Sequence, residues 1–428
     1  MNILYIDHYA GSPTLGMEYR PYYLAREWVR SSHRVAIVAA SFAHVRTRQP
    51  DLAAGSADSV VDGVEYRWLR TPAYAGNGFG RARNIAAFLW RLWRQSAALA
   101  AAFRPDVVIA SSTYPMDIWV ARRIARQAGA RLVHEVHDLW PASPIELGGM
   151  SPWHPFALLC QKAENDACRD ADVVVSMLPK VADHLRRHGL DLKKLHIVPN
   201  GIVPEDWAAA APLDPALAAH VAAAKNAGRI VVGYAGAHGL PNALDTLLDA
   251  AALLRHENFA FVLVGEGHEK NRLAQRVRNE GLEHVALFAP IAKAQIPAFL
   301  REVDIAYIGW QRVPIYRFGI APNKLMDYMM AGCTVLHSVE AGNDPVAEAG
   351  CGLTVAPESA EAVAAGLRRL AGLAPDERRA MGAKGHAFVL AHHSYPVLAR
   401  RMADAMAAAG PPRFRKQARR VGQEFENR

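Results

Sequence analysis

The sequence predicts an α/β chain made of two Rossmann-like, doubly wound parallel-sheet domains. Three observations carry that expectation. Near-continuous Val/Ile-rich runs recur along the chain and alternate with segments of helical periodicity, the pattern of strands buried on both faces and joined by helical crossovers. The rhythm breaks after Asn200 and Gly201, at the stretch DWAAAAPLDPALAAHVAAAKNAG, and then restarts. A length of 428 residues suits two units of about 200 residues better than one core.

In the first half the strand candidates are NILYIDH, RVAIVAAS, DVVIASS, RLVHEVH, DVVVSM and LHIVPN, with helices near Glu18 to Arg30, Arg83 to Ala102 and Ile118 to Ala128. The second half offers IVVGYAG, FAFVLVGEG, VALFAPI, VDIAYIGW, TVLHS and GLTVA, separated by helices such as Ala243 to Arg255, Glu269 to Glu280 and Ile296 to Glu302. The expected domains are residues 1–202 and 203–392, followed by 393–428, a helix from Ser394 to Ala408 crossing back to the first domain plus a basic tail. Ligands of open parallel sheets bind outside the carboxyl ends of the strands, so a cleft between the halves is the expected site.

Composition narrows the class. Charged residues make up 21% and hydrophobic ones 51%, ordinary globular values. Cys160, Cys168, Cys333 and Cys351 lack CxxC spacing, which favours thiols in a reducing cytoplasm over a disulfide scaffold or a metal site. The amino terminus MNILYIDHY is unlike a signal peptide, and no apolar window is long enough to span a bilayer. A net charge of +8 suits an anionic partner. Nucleic acid is not expected, because zinc-finger spacings, RNP-type strings and heptads are missing.

Three strand-to-helix junctions in the second half are built for anions. GYAGAHGLPNALD places Gly236, His238 and Gly239 before a helix, where backbone N–H groups can cradle phosphate. VGEGHEK repeats the arrangement with Gly265 and Gly267, the latter allowing close approach by a base or ribose. The third is QRVPIYRFGIAPNKLMDYMMAG. Pro322 suits a first helical position, followed by Asn323. Arg317, Lys324 and the helix dipole would converge on a diphosphate, and Asp327, three residues after Lys324, would accept from two ribose hydroxyls.

In the first half, HEVHDLWP ends a strand with His134, His137 and Asp138. Alternation puts Glu135 and His137 on one face and His134 on the other, and His137 would face the cleft. His134 and Asp138 match zinc spacing only loosely, and a third ligand is not evident. The loop HYAGSPTLGMEYRP brings Gly16, Glu18 and Arg20 to a helix start near Met17, either to meet sugar or acceptor or to cap and pair. GRARNIAAFLWRLWRQ carries Trp90, Arg91, Trp93 and Arg94, the make-up of a helix meeting anionic headgroups or of a core helix with snorkelling arginines. The tail PPRFRKQARRVGQEFENR is read as a solvated end or a membrane-surface element.

HYAGSPTLGMEYRPYYLAREWVRSSHRVAIVAA, VHDLWPASPIELGGMSPWHPF, IVPNGI and APNKLMDYMMAG followed by GNDPVAEAGCGLTV resemble the retaining GT-B glycosyltransferases of group 1, over nearly the whole chain. Within that family they are most similar to a bacterial surface-polysaccharide subgroup that includes fucosaminyltransferase-like proteins. The resemblance implies a nucleotide-sugar donor held mainly by the second domain, an acceptor approached from the first, and no metal or cofactor. Asp327 stands at the second, ribose-binding carboxylate of the family's E-x7-E motif, whereas the first carboxylate is replaced by Gly319. The usual Arg and Lys after the first glycine loop are also missing, and Arg317 and Lys324 are the candidates to replace them. His137 matches the histidine that contacts the donor sugar, and Ile291 to Lys293 match the stretch whose backbone reads the base.

The function expected is transfer of a sugar, with an N-acetylated amino sugar one option, from a nucleotide diphosphate, UDP first, to a lipid-linked saccharide. It would occur at the inner face of the cytoplasmic membrane, during lipopolysaccharide or other surface-polysaccharide assembly. The rivals are a UDP-sugar 2-epimerase of the same architecture and a noncatalytic sugar-nucleotide-binding partner.

Overall fold

Two compact units make up the chain: Met1–Pro199 with the chain from Tyr395 onward, and Asn200–Ser394. The computed structural model describes all residues other than 53–57, 77, 209 and 415–428. The basic tail from Arg415 on therefore lies outside the described residues.

The first unit contains β1 (Asn2–Ile6), β2 (Arg34–Ala40), β3 (Asp58–Val61), β4 (Val64–Leu69), β5 (Val107–Ala110), β6 (Arg131–Val136), β7 (Val173–Ser176) and β8 (Leu195–Ile197). They form one sheet in the order β3-β4-β2-β1-β5-β6-β7-β8. All neighbours run parallel except β3, which pairs antiparallel with β4. The sheet is thus mixed, where an all-parallel one was expected. The added hairpin turns at Asp62 (φ 49°) and Gly63 (φ 79°), and two positive φ angles in succession are what an Asp-Gly turn supplies.

The second unit contains β9 (Ile230–Ala235), β10 (Phe259–Val264), β11 (Val285–Phe288), β12 (Ile305–Gly309), β13 (Thr334–Ser338) and β14 (Gly352–Val355), in the order β11-β10-β9-β12-β13-β14. Every pairing is parallel. Alternate residues of β9 enter opposite cores, Val231 and Ala235 on one side, Val232 and Tyr234 on the other. This is why a strand covered by helices on both faces reads as an unbroken apolar run.

Strand order reverses between β1 and β5 in one sheet and between β9 and β12 in the other, and ligands of such sheets gather at the carboxyl ends beside these switch points. Asp7 and Ser111 directly follow β1 and β5, and Gly236 directly follows β9. The Ala/Pro-rich stretch is partly helical, over Pro215–Asn226, with Asp214 capping the N–H groups of Ala216 and Leu217. The last helix, Tyr395–Ala408, packs in the first unit, where Trp28 Nε1 donates to Ala399 O at 2.9 Å.

Candidate active site

In the second unit the site is built around Lys324. The helix runs Asn323–Met330, and Pro322 is its N-cap, not its first helical residue as expected. Leu325, Met326 and Met329 are buried in the core below. Tyr328, one turn after Lys324, is tied to the end of β9: its hydroxyl accepts from Ala235 N at 3.0 Å and donates to Ala235 O at 3.3 Å. The helix is therefore pinned where the first glycine loop begins.

Lys324 Nζ donates to Tyr234 Oη at 3.0 Å and to Asn242 Oδ1 at 2.5 Å. It lies 4.8 Å from the Tyr234 ring centroid. Tyr234 and Asn242 both donate to Ala237 O, at 2.7 and 3.0 Å, so the loop from Gly236 to Asn242 is laced around the ammonium. A Cβ added to Gly236 would meet Lys324 Nζ at 3.2 Å. Among the described residues Lys324 forms no salt bridge, and burial pulls its pKa down to about 8.

The two glycine loops press on each other. A Cβ on Gly265 would lie 1.8 Å from Gly236 O, and one on Gly267 would lie 2.2 Å from His238 O. Gly267 therefore makes room for the His238 backbone, not for a base or ribose as expected. Gly239 is different: its Cβ would meet only ordinary contacts, the closest His268 Cε1 at 3.4 Å. His238 is fully buried, and among the described residues neither ring nitrogen has a hydrogen-bond partner. Burial, with help from Lys270 and Lys324, lowers its pKa to about 4, so it is a neutral imidazole.

Asp327 is partly buried, and no hydrogen bond reaches its carboxylate among the described residues. Burial raises its pKa to about 7, opposed by the charge of Lys293 and assisted by that of Asp206. Lys293 is exposed and donates to Asp206 Oδ2 at 3.1 Å, while Ile291 packs on the core. The Ile291 to Lys293 turn and Asp327 thus share one neighbourhood.

Arg317, expected to converge with Lys324 on a diphosphate, differs from it in exposure, Lys324 being half-buried. Arg317 is exposed on the short turn Pro314–Phe318, its guanidinium 4.2 Å from the Phe318 ring centroid. Gly319 follows at φ 95°, a left-handed conformation that a glutamate would occupy only under strain. That is a local reason for the missing carboxylate. Ile320 N donates to Asn343 Oδ1 at 2.7 Å and Asn343 Nδ2 returns a bond to Ile320 O at 3.2 Å, which fixes the entry to the helix.

In the first unit, Glu135 gathers the charged groups. Its Oε1 accepts from Arg20 Nε at 2.9 Å and Nη2 at 2.8 Å. Its Oε2 accepts from Tyr5 and, at 2.7 Å, from Ser111. Arg20 also donates to Val198 O and Pro199 O. The guanidinium is fully buried and committed to this network, so the acceptor role offered for Arg20 is corrected to pairing. Asp138 is likewise committed, accepting from Leu139 N at 2.9 Å and Ser143 Oγ at 2.5 Å.

His137 Nε2 lies 2.7 Å from Ser111 Oγ and 3.4 Å from Glu135 Oε2, on the face that alternation assigned. Burial disfavours its protonation, but the Glu135 carboxylate outweighs this and the pKa is raised. His137, Asp7, Glu18 and Arg81 line a cavity of about 130 Å³. Burial lifts the Asp7 pKa to about 7 against the pull of His137. Gly16 sits beside this loop at φ +100°, bridged to Ser12 and Arg46. On the helix Phe79–Phe103, Phe88 and Leu92 face the core, whereas Trp90 and Trp93 are 54% and 47% exposed. The helix thus faces the core on one side, as the snorkelling alternative has it, and carries both tryptophans on its outer side. Arg91 and Arg94 both lie over the Trp90 ring.

Residues 16–201 match the family described as Glycosyl transferase 4-like domain, and residues 229–372 match Glycosyl transferases group 1. The first unit is thus similar to one glycosyltransferase domain and the second to another. Solved structures agree on the fold. A sucrose-phosphate synthase from Thermosynechococcus elongatus superposes with a TM-score of 0.69 at 18% identity, covering 94% of this chain and 97% of that one. Anabaena Alr3699/HepE in complex with UDP-glucose gives 0.64 at 15%, covering 95% and 99%. WaaG, a glycosyltransferase involved in lipopolysaccharide biosynthesis, gives 0.62 at 15%, covering 95% and 100%. These likenesses make the architecture of this chain GT-B. Among curated proteins, WcaI of Escherichia coli (strain K12), named as a colanic acid biosynthesis glycosyl transferase, is 25% identical over 259 residues. That match spans 58% of this chain and 62% of WcaI.

Sequence reasoning missed Tyr234, Asn242 and Tyr328, and it placed Glu135 on the face of His137 without giving it a role. Asn343 stood inside the quoted stretch GNDPVAEAG but was given no role.

Proposed function

We propose that this protein transfers a sugar from a nucleoside diphosphate, UDP first, to a lipid-linked saccharide in bacterial surface-polysaccharide assembly. One observation carries the reading: a half-buried lysine ammonium that has no carboxylate partner among the described residues, set against the glycine loop that ends β9. A cation partly withdrawn from water loses hydration that an anion can replace, and a diphosphate supplies that anion. The printed titles of its relatives support the same reading: HepE carries UDP-glucose, WaaG acts in lipopolysaccharide biosynthesis and WcaI is named for colanic acid.

Breaking the anomeric bond leaves positive charge on the sugar and puts negative charge on the departing diphosphate. Lys324 and the start of the helix Asn323–Met330 meet that charge as it develops, where preorganised electrostatics lower a barrier most. Arg317, exposed ahead of the same helix, adds positive potential to the approach. Asp327 accepts from the ribose hydroxyls and the Ile291 to Lys293 turn lies along the base. In the first unit, His137 contacts the donor sugar from its place beside Ser111, and Glu18 presents itself to the acceptor.

No protein carboxylate is assigned as a covalent nucleophile. Departure and attack occur on one face, with a diphosphate oxygen taking the acceptor proton, and anomeric configuration is retained. The nucleotide-sugar is substrate, and neither a metal nor a cofactor takes part in the step.

Among the described residues no helix is long and apolar enough to cross a membrane. Trp90 and Trp93, with Arg91 and Arg94, form an exposed aromatic and cationic face that suits the anionic inner surface of the cytoplasmic membrane. The test supplies radiolabelled UDP-, GDP- and ADP-sugars with membranes. Label entering an organic-extractable lipid supports transfer, interconversion of donor without acceptor indicates an epimerase, and neither product indicates a binding partner.

A further inference from the structure

Outside the proposed transfer site, the first unit gathers Glu164, His184 and His188 so that one ligand atom of each lies within 4.8 Å of the others. We infer that these three side chains form a site for a borderline divalent cation, with zinc as its probe. Glu164 belongs to the helix Pro155–Asp170, and His184 and His188 lie one turn apart at the helix Ala182–Arg187 and its C-cap. The i, i+4 spacing turns both imidazoles to one side, and their centroids are 4.5 Å apart.

Both Nε2 atoms face the carboxylate. His184 Nε2 is 2.9 Å from Glu164 Oε1, and His188 Nε2 is 3.9 Å from Glu164 Oε2. Bond lengths of about 2.0–2.2 Å at a tetrahedral zinc place neighbouring ligand atoms roughly 3.3 Å apart, so the observed pairs bracket the required spacing. The second contact is too long for a hydrogen bond. A gap thus remains between the imidazole of His188 and the carboxylate, where lone pairs converge.

The surroundings suit a metal ligand set. Gln161 Nε2 donates to Glu164 Oε2 at 2.8 Å. His188 Nδ1 lies 2.9 Å from Asn165 Oδ1 and 3.0 Å from Gln161 Nε2; in the tautomer that donates from Nδ1–H to Asn165, the Nε2 lone pair is aimed inward. Such outer partners orient ligands and select the tautomer that binds. Two imidazoles and one carboxylate match zinc's preferences, and water completes a fourth position. Glu164 and His184 are 3% and 9% exposed, so the cation would join two helices of the first unit.

The test uses tag-free full-length protein stripped with a chelator, dialysed against Zn2+ and assayed for bound metal, with Co2+ absorption as a second readout. The expected result is one zinc per chain, a rise in Tm on loading, and the visible bands of tetrahedral cobalt. His184→Ala and Glu164→Gln each reduce zinc affinity at least tenfold, while His196→Ala retains it. Far-UV circular dichroism and UDP binding check that each variant is folded. Stoichiometric zinc absent from the wild type, or zinc uptake unchanged in both folded variants, overturns the site and marks the trio as a hydrogen-bonded brace. Neither outcome bears on the Lys324 cradle, which lies in the other unit.

Discussion

Arg20 and Glu135 form an ion pair, Nη2 to Oε1 2.8 Å, with side chains 1% and 0% exposed. They come from positions 115 residues apart and join the first long helix of the first unit to β6. Removing one member of such a pair strands the other in a medium of low polarity, and the loss is typically about 3–5 kcal/mol. Glu135→Gln and Arg20→Met should each lower stability by roughly this amount in denaturant melts of the full chain. Burial opposes ionisation of Glu135, but Arg20 and His137 hold its pKa well below the carboxylate range. Its contribution is present above the unfolded pKa and lost as pH falls through the folded one, so the wild-type excess over Glu135→Gln should shrink in acid. An unchanged difference down to strong acid would contradict the pairing.

Lys324 should make nucleotide binding pH-dependent on the alkaline side. Its pKa in the free protein is about 8 because it is buried, and a bound diphosphate favours the charged form. Affinity for UDP should be flat up to about pH 8 and then decline, approaching tenfold per unit. Calorimetry in buffers of different ionisation enthalpy should show proton uptake on binding near pH 8.5.

Asp327 carries opposite effects on stability and binding. Burial raises its pKa to about 7, so ionisation disfavours the fold at pH 8 and not at pH 4. Asp327→Asn should raise Tm at pH 8, leave it nearly unchanged at pH 4, and weaken UDP about tenfold, or roughly 1.4 kcal/mol. A matching loss for 2′,3′-dideoxy-UDP would be absent in the variant, since the hydroxyls it lacks have already lost their acceptor.

The glycines of the cradle are not equivalent. Gly267→Ala places a methyl 2.2 Å from His238 O, whereas Gly239→Ala meets nothing closer than 3.4 Å. Gly267→Ala should displace the first loop and reduce UDP affinity at least tenfold, and Gly239→Ala should bind within about twofold of wild type. Equal behaviour of the two variants would show that loop-on-loop packing does not shape the site.

Most strands were legible because parallel strands covered on both faces are continuous apolar runs, as in FAFVLV and VVIA. The β3–β4 hairpin was missed although Asp62-Gly63 marked its turn; its first strand, DSVV, is mostly exposed and has no apolar face to recognise. The helix that carries Lys324 and Asp327 was legible from its leading proline and the charges at its front. Their setting was not, because Tyr234, Asn242 and Asn343 are ordinary polar residues whose roles come from contacts made across the fold. Arg20 and Asp138 show the same limit from the other side. Charge at a loop suggests ligand contact, and only packing shows that each is already engaged by the protein itself.

The central claim is that Lys324 makes the second unit a diphosphate receptor, and calorimetric titration of uridine, UMP and UDP into wild type and Lys324→Ala tests it most directly. The account predicts that wild type gains affinity from uridine through UMP to UDP, and that Lys324→Ala loses at least about tenfold, or roughly 1.4 kcal/mol, for UDP while binding uridine as before. Equal affinity of both proteins for UDP, or of wild type for UDP and uridine, would contradict it.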